Sequence, residues 1–124
     1  MSKEKFYMGE LEPKDERFIN LIVMGLKNKI NTDRAIGARA ICAKMKKAGY
    51  DITQSKLKQV MHVIRVRGWI KCLVHGPKGY YITASMKDGQ RFTGDMRREI
   101  RLLQAEEKAL TEQFNEYYSP GMFH

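Results

Sequence analysis

The stretch Asp51-Ile52-Thr53-Gln54-Ser55-Lys56-Leu57-Lys58-Gln59-Val60-Met61-His62-Val63-Ile64-Arg65-Val66-Arg67-Gly68-Trp69-Ile70 carries start and stop signals for one helix. Thr53 is a good N-cap, because its hydroxyl can accept a bond from an otherwise orphaned first-turn amide. Ile52 before it and Leu57 four positions after it form a hydrophobic staple that sets the entry angle of the chain. Leu57, Val60, Met61 and Ile64 make a single inward stripe at helical spacing. The opposite face is Gln54, Ser55, Lys58, Gln59, His62 and Arg65, and Gly68 ends the helix. The spacing predicts a helix over 53–67 with a polar, basic outer face.

Downstream the pattern changes from helical to extended. Trp69 to Val74 is β-prone, His75-Gly76-Pro77-Lys78-Gly79 is turn chemistry, and Tyr80 to Thr83 is β-prone again, which predicts a hairpin. Trp69 and Tyr80 are expected in its packing, with Tyr81 on the face opposite Tyr80. Upstream, Phe18, Ile19, Ile22, Val23, Leu26 and Ile30 recur at helical spacing and predict a first helix over about 15–29. Asn31-Thr32-Asp33 breaks the chain. Ala38, Ile41, Cys42 and Met45 form the stripe of a second helix over about 35–48, which Gly49 terminates. Residues 1–14 are a polar arm, and a long amphipathic helix occupies 85–118 before a tail over 119–124. The fold class is mainly α with a small β-hairpin.

The charge is concentrated in this central block. Between Arg34 and Tyr80 lie eleven basic residues against one acid, Asp51, a net of +10. Elsewhere twelve basic and thirteen acidic residues leave −1, so the block holds the whole formal excess of +9. Such a surface attracts polyanions, and the release of condensed counterions makes nucleic acid a favourable one. Ordinary solvated helices mix signs to gain i,i+4 pairs, which this block does not do.

Several chemistries lack their residues. No paired carboxylates, nucleophile constellation or metal-ligand set is evident, so neither enzymatic activity nor a cofactor is expected. Cys72-x-x-His75 has ligand-like spacing and could be joined to Cys42 and His62, but no second tight pair accompanies it. Core cysteines are the expectation. Gly76-Pro77-Lys78-Gly79 lacks the spacing and the Lys-Ser/Thr ending of a phosphate-binding loop, and is read as a turn. The longest apolar run, Phe18 to Leu26 interrupted by Asn20, is far short of a membrane span, and the first residues lack an apolar signal core. A cytoplasmic location is the expectation.

Helix, helix, tight turn, helix and two-stranded hairpin, carried by the quoted stretch and by His75-Gly-Pro-Lys-Gly-Tyr-Tyr-Ile-Thr83, resembles the winged helix-turn-helix family over residues 15–84. The long last helix is similar to the tails of small bacterial and phage members. The resemblance implies a double-stranded DNA binder whose third helix enters the major groove, with early residues reaching base edges. Those positions are Gln54, Ser55, Lys58, Gln59 and His62, whose amides, amine and hydroxyl suit adenine and guanine edges. Arg39, Lys44, Lys56, Arg65, Arg67, Lys71 and, at the wing tip, Lys78 are the expected phosphate contacts. A transcriptional regulator or replication accessory factor is implied; the alternative is a winged-helix module that grips an acidic protein, such as a phage-encoded inhibitor of a host nucleic-acid machine.

In the last helix, Phe92, Met96, Ile100, Leu103, Leu110 and Phe114 fall near heptad a and d positions, interrupted in register by Glu107. Such a seam can fold back over the first helix or pair with a second copy. Short heptad seams commonly dimerise DNA-binding domains, which makes a homodimer the expectation.

Overall fold

The computed structural model describes residues 15–118, so the arm expected over 1–14 and the tail over 119–124 lie outside the described residues. The chain divides into two compact units, the first reaching Met86 and the second starting at Lys87. In the first, α1 (Asp15–Leu26) leads through a 3-10 turn (Thr32–Arg34) to α2 (Ala38–Lys47) and α3 (Gln54–Arg67). Strands β1 (Leu73–Gly76) and β2 (Gly79–Ile82) follow as an antiparallel hairpin, and α4 (Met86–Tyr118) begins at the end of the first unit and runs through the second. The chain is therefore mainly α with a small hairpin and a long C-terminal helix.

One apolar cluster holds the first unit together. Phe18, Ile19, Ile22 and Leu26 of α1 meet Ile41 and Met45 of α2 and the predicted α3 stripe, Leu57, Val60, Met61 and Ile64. Ile70, Leu73 and Tyr80 close it from the hairpin side. The α3 stripe is at most 1% exposed, and hiding each such side chain stabilises by roughly 1.5–3 kcal/mol. Val63, also fully buried, widens the inward face beyond the predicted four residues.

Both α2 and α3 stop by the same device. Gly49 donates to the Lys46 carbonyl and Tyr50 to that of Met45; Gly68 donates to Arg65 and Trp69 to Ile64. Each is a Schellman arrangement, and the glycines accept the required positive φ, 94° at Gly49 and 68° at Gly68. At the other end of α3, the Thr53 hydroxyl accepts from the Lys56 amide at 3.0 Å, as its N-cap position predicts.

The segment joining α1 to α2 corrects the expected boundaries. The first helix ends at Leu26 rather than Lys29, and the second begins at Ala38 rather than Ala35, because this segment pairs with β2. Ile82 donates to the Lys29 carbonyl at 2.7 Å and its own carbonyl accepts from Asn31 at 2.9 Å. Ile36 and Tyr80 exchange both backbone bonds, at 3.0 and 2.8 Å. A chain extended for sheet pairing cannot also satisfy helical i→i−4 bonds.

The hairpin is also shorter than predicted. Residues 69–72 are not strand, since the Trp69 amide completes the α3 stop and Cys72 sits at φ 62° in a turn. Cys72 is therefore exposed rather than a core thiol, whereas Cys42 packs half-buried against the cluster. Trp69 is not packed away either, with 46% of its surface exposed. Tyr80 and Tyr81 are both buried, on opposite faces of β2 as alternation predicts.

Gly79 is the tightest point of this arrangement. Its φ of 117° is closed to ordinary side chains, and a Cβ there would overlap the Ile36 carbonyl and the Gly37 nitrogen. We expect Gly79→Ala to lower the unfolding free energy by about 2 kcal/mol or more in urea titration. Gly25→Ala is the control, because a Cβ there meets nothing within 4 Å and helix propensity favours Ala by about 0.5–1 kcal/mol.

Candidate nucleic-acid interface

The two ends of α3 define which of its side chains reach solvent. With Leu57, Val60, Met61, Val63 and Ile64 held inward, helical periodicity turns Gln54, Ser55, Lys58 and His62 outward, and all four are exposed. Gln59 lies at the edge of this face and is half-buried. All five side chains proposed from the sequence for base contact thus share one side of one helix. Val66, one turn after His62, extends the face and is 60% exposed. The sequence carried that signal, since Val66 interrupts neither stripe, but an exposed valine has no polar group to draw attention to it. Its chemistry suits a thymine methyl.

The basic residues separate into two groups. Lys56 and Arg65 are half-buried and bonded within the unit. The Lys56 ammonium reaches across to Asp15 at the start of α1, at 3.4 Å, where the carboxylate is buried. Arg65 is held more firmly. Its Nε donates to the Leu73 carbonyl at 2.8 Å, a terminal nitrogen lies 3.0 Å from His75 Nδ1, and its guanidinium stands 5.7 Å over the Tyr80 ring. Burial lowers the Arg65 pKa from its ordinary value and raises that of Tyr80, and each side chain's field opposes the shift of the other. A guanidinium stays charged far above neutrality, so Arg65 fastens α3 to the hairpin as a cation.

The other nine basic residues of the block, Arg34, Arg39, Lys44, Lys46, Lys47, Lys58, Arg67, Lys71 and Lys78, are exposed. Lys78 stands with Pro77 at the hairpin tip, between the two strands. Lys71 lies in the turn that precedes β1, and the Arg67 guanidinium rests 5.8 Å from the exposed Trp69 ring. On α2, Arg39 and Lys44 point in different directions, because five positions correspond to about 140° of helix rotation. Lys44 borders a small apolar pocket of about 80 Å³ with Leu21, Ile22 and Gly25 of α1. The site is thus a polar helix face in a block of exposed cationic side chains, a chemistry suited to contact an extended polyanion.

Among the described residues, no group of three or more His, Cys, Asp or Glu is gathered closely enough to hold a metal ion, and no helix is long and apolar enough to cross a membrane. Comparison with known proteins yields no matching family model, no matching curated protein and no matching solved structure.

The division of the cations is measurable. Arg65→Ala removes a charged donor from a buried carbonyl, and we expect a loss of about 1–3 kcal/mol in urea unfolding followed by Trp69 fluorescence. Lys58→Ala should leave the same midpoint within about 0.5 kcal/mol, as its side chain is exposed.

Proposed function

We propose that the first unit is a double-stranded DNA reader of the winged helix-turn-helix type, working as a transcriptional regulator or replication accessory factor. The observation that supports this most is the outer face of α3. Gln54, Ser55, Lys58, Gln59 and His62 stand together there, in a block where nine exposed cations face one exposed acid. Polar amides and an amine on a rigid helix suit base edges in a major groove. Arg39, Lys44, Arg67, Lys71 and Lys78 supply phosphate contacts around it, which fix register without reading sequence. Lys56 and Arg65 take no phosphate in this reading, since their bonds hold α1 and the hairpin to α3. The binding is non-catalytic and needs no cofactor.

Exposed Trp69 and Val66 beside Arg67 support a second reading. An aromatic ring, an aliphatic side chain and a guanidinium together make a grip for an acidic protein surface. In that case the basic face would block a nucleic-acid machine by occupying its partner.

Fluorescence anisotropy separates the two. On random 30-base-pair duplex, five phosphate contacts correspond to a log–log salt slope of about −4.5, with weaker retention of single strands. Lys58→Ala with Gln59→Ala should flatten discrimination among selected duplexes while leaving most of that slope. Absence of duplex retention even at low salt would overturn the DNA reading and move the weight to a protein partner.

A further inference from the structure

The second unit has a surface that this DNA reading does not use. No residue of α4 is buried, although Met96, Ile100, Leu103, Leu110, Phe114 and Tyr117 are all large and apolar. Each of the six is between 43% and 58% exposed. Their spacing alternates four and three residues, with Glu107 in register between Leu103 and Leu110. That is a strict heptad seam about 30 Å long on one side of the helix. Phe92 falls one position outside it and is half-buried. This exposed stripe shares five residues with the seam expected from the sequence, with Tyr117 in place of Phe92.

We propose that α4 pairs with the α4 of a second copy of this chain, in antiparallel orientation. Met96 then meets the partner's Phe114, Ile100 the partner's Leu110, and Thr93 the partner's Tyr117. Three features favour this occupant and this direction. First, the helix is polarised. From Lys87 to Leu103 it carries five basic and three acidic residues, and from Gln104 to Tyr118 one basic and four acidic. Antiparallel pairing lays a +2 half against a −3 half, whereas parallel pairing lays like against like. Opposed helix dipoles add to the same preference.

Second, Glu107 occupies a core position of the seam. In a parallel pair two Glu107 carboxylates would face each other across the axis, each desolvated by the other's presence. In the antiparallel pair each lies beside the partner's Leu103, on the half that bears Arg97, Arg98 and Arg101. Third, the seam tapers. Its bulky rings, Phe114 and Tyr117, lie at one end, and Thr93 and Met96 at the other. Antiparallel packing sets large against small in every outer layer, while parallel packing would stack ring on ring at one end and leave the other thin.

This pairing does not depend on DNA binding and is tested without it. Sedimentation equilibrium of the full chain up to about 100 µM should give twice the 14.4 kDa chain mass, and a monomer at that concentration overturns the proposal. Leu110→Glu should weaken association at least tenfold; no change would show that another surface holds the dimer. Direction is read by disulfide trapping in chains whose own thiols are removed by Cys42→Ala and Cys72→Ser. Met96→Cys chains mixed with Phe114→Cys chains should cross-link to each other, and Met96→Cys chains alone should not. Cross-linking of Met96→Cys with itself, or a dimer that yields neither product, overturns the antiparallel register.

Discussion

Two peptide groups, those of Ile36 and Tyr80, exchange both of their hydrogen bonds, and the architecture of the first unit depends on that pairing. It fixes where α2 can begin, because Ile36 must be extended to reach β2. It fixes the hairpin against the helices, because β2 takes a partner on each of its edges. And it brings the chain so close at Gly79 that no side chain fits. The same pairing seats the Tyr80 ring in the core cluster, where Arg65 spans it and continues to the Leu73 carbonyl. An isolated two-stranded hairpin is marginal in water. Here the third segment and the arginine make it a fixed part of the unit, so a lysine at its tip is presented from a rigid base.

Which cations are free follows from where a partner can offset desolvation. Withdrawing a guanidinium or ammonium from water is costly unless hydrogen bonds or an opposite charge replace the lost hydration. Arg65 finds a carbonyl, an imidazole nitrogen and an aromatic face; Lys56 finds a buried carboxylate. The exposed nine remain hydrated at the surface. An unpaired surface excess of one sign raises the electrostatic energy of the folded unit, and a bound polyanion lowers it. The cations that hold the fold and those left exposed are therefore different members of one cluster of charge, and substituting the two kinds should give different phenotypes.

What was legible in the sequence was what depends on near neighbours. The Thr53 cap, the Ile52–Leu57 staple, the α3 stripe and the glycine stops all act within about one helical turn. They predicted α3 nearly to the residue and, with it, the outward set from Gln54 to His62. Pairings between distant positions were not legible. Lys56 and Asp15 stand 41 positions apart, and nothing local distinguishes Lys56 from Lys58 except the helix phase that turns one inward. Residues 29–36 have no strand pattern of their own, being recruited by the free edge of β2. Trp69 and Cys72 read as strand by propensity, but the helix stop claimed the Trp69 amide and the turn claimed Cys72. Tertiary context overrode β-propensity there, as it commonly does.

If α4 pairs as proposed and the first unit binds duplex as proposed, the direction of pairing sets how two copies would work together. Each first unit is joined to α4 at its N-terminal end, near Met86. In a parallel pair the two junctions would lie roughly 10 Å apart, the spacing of packed helices. In the antiparallel pair Met86 lies nineteen residues from an axis at Ala105, which puts the junctions about 57 Å apart at 1.5 Å per residue. Adjacent half-sites on one face of a duplex are separated by about 34–36 Å. Junctions at 57 Å are better matched to sites two helical turns apart, or to two separate segments of duplex. The gain from linking is greatest when the span matches the sites and falls away when it does not. Charge polarity along a solvent-exposed helix would then set the spacing of the DNA sites that two copies can occupy at once.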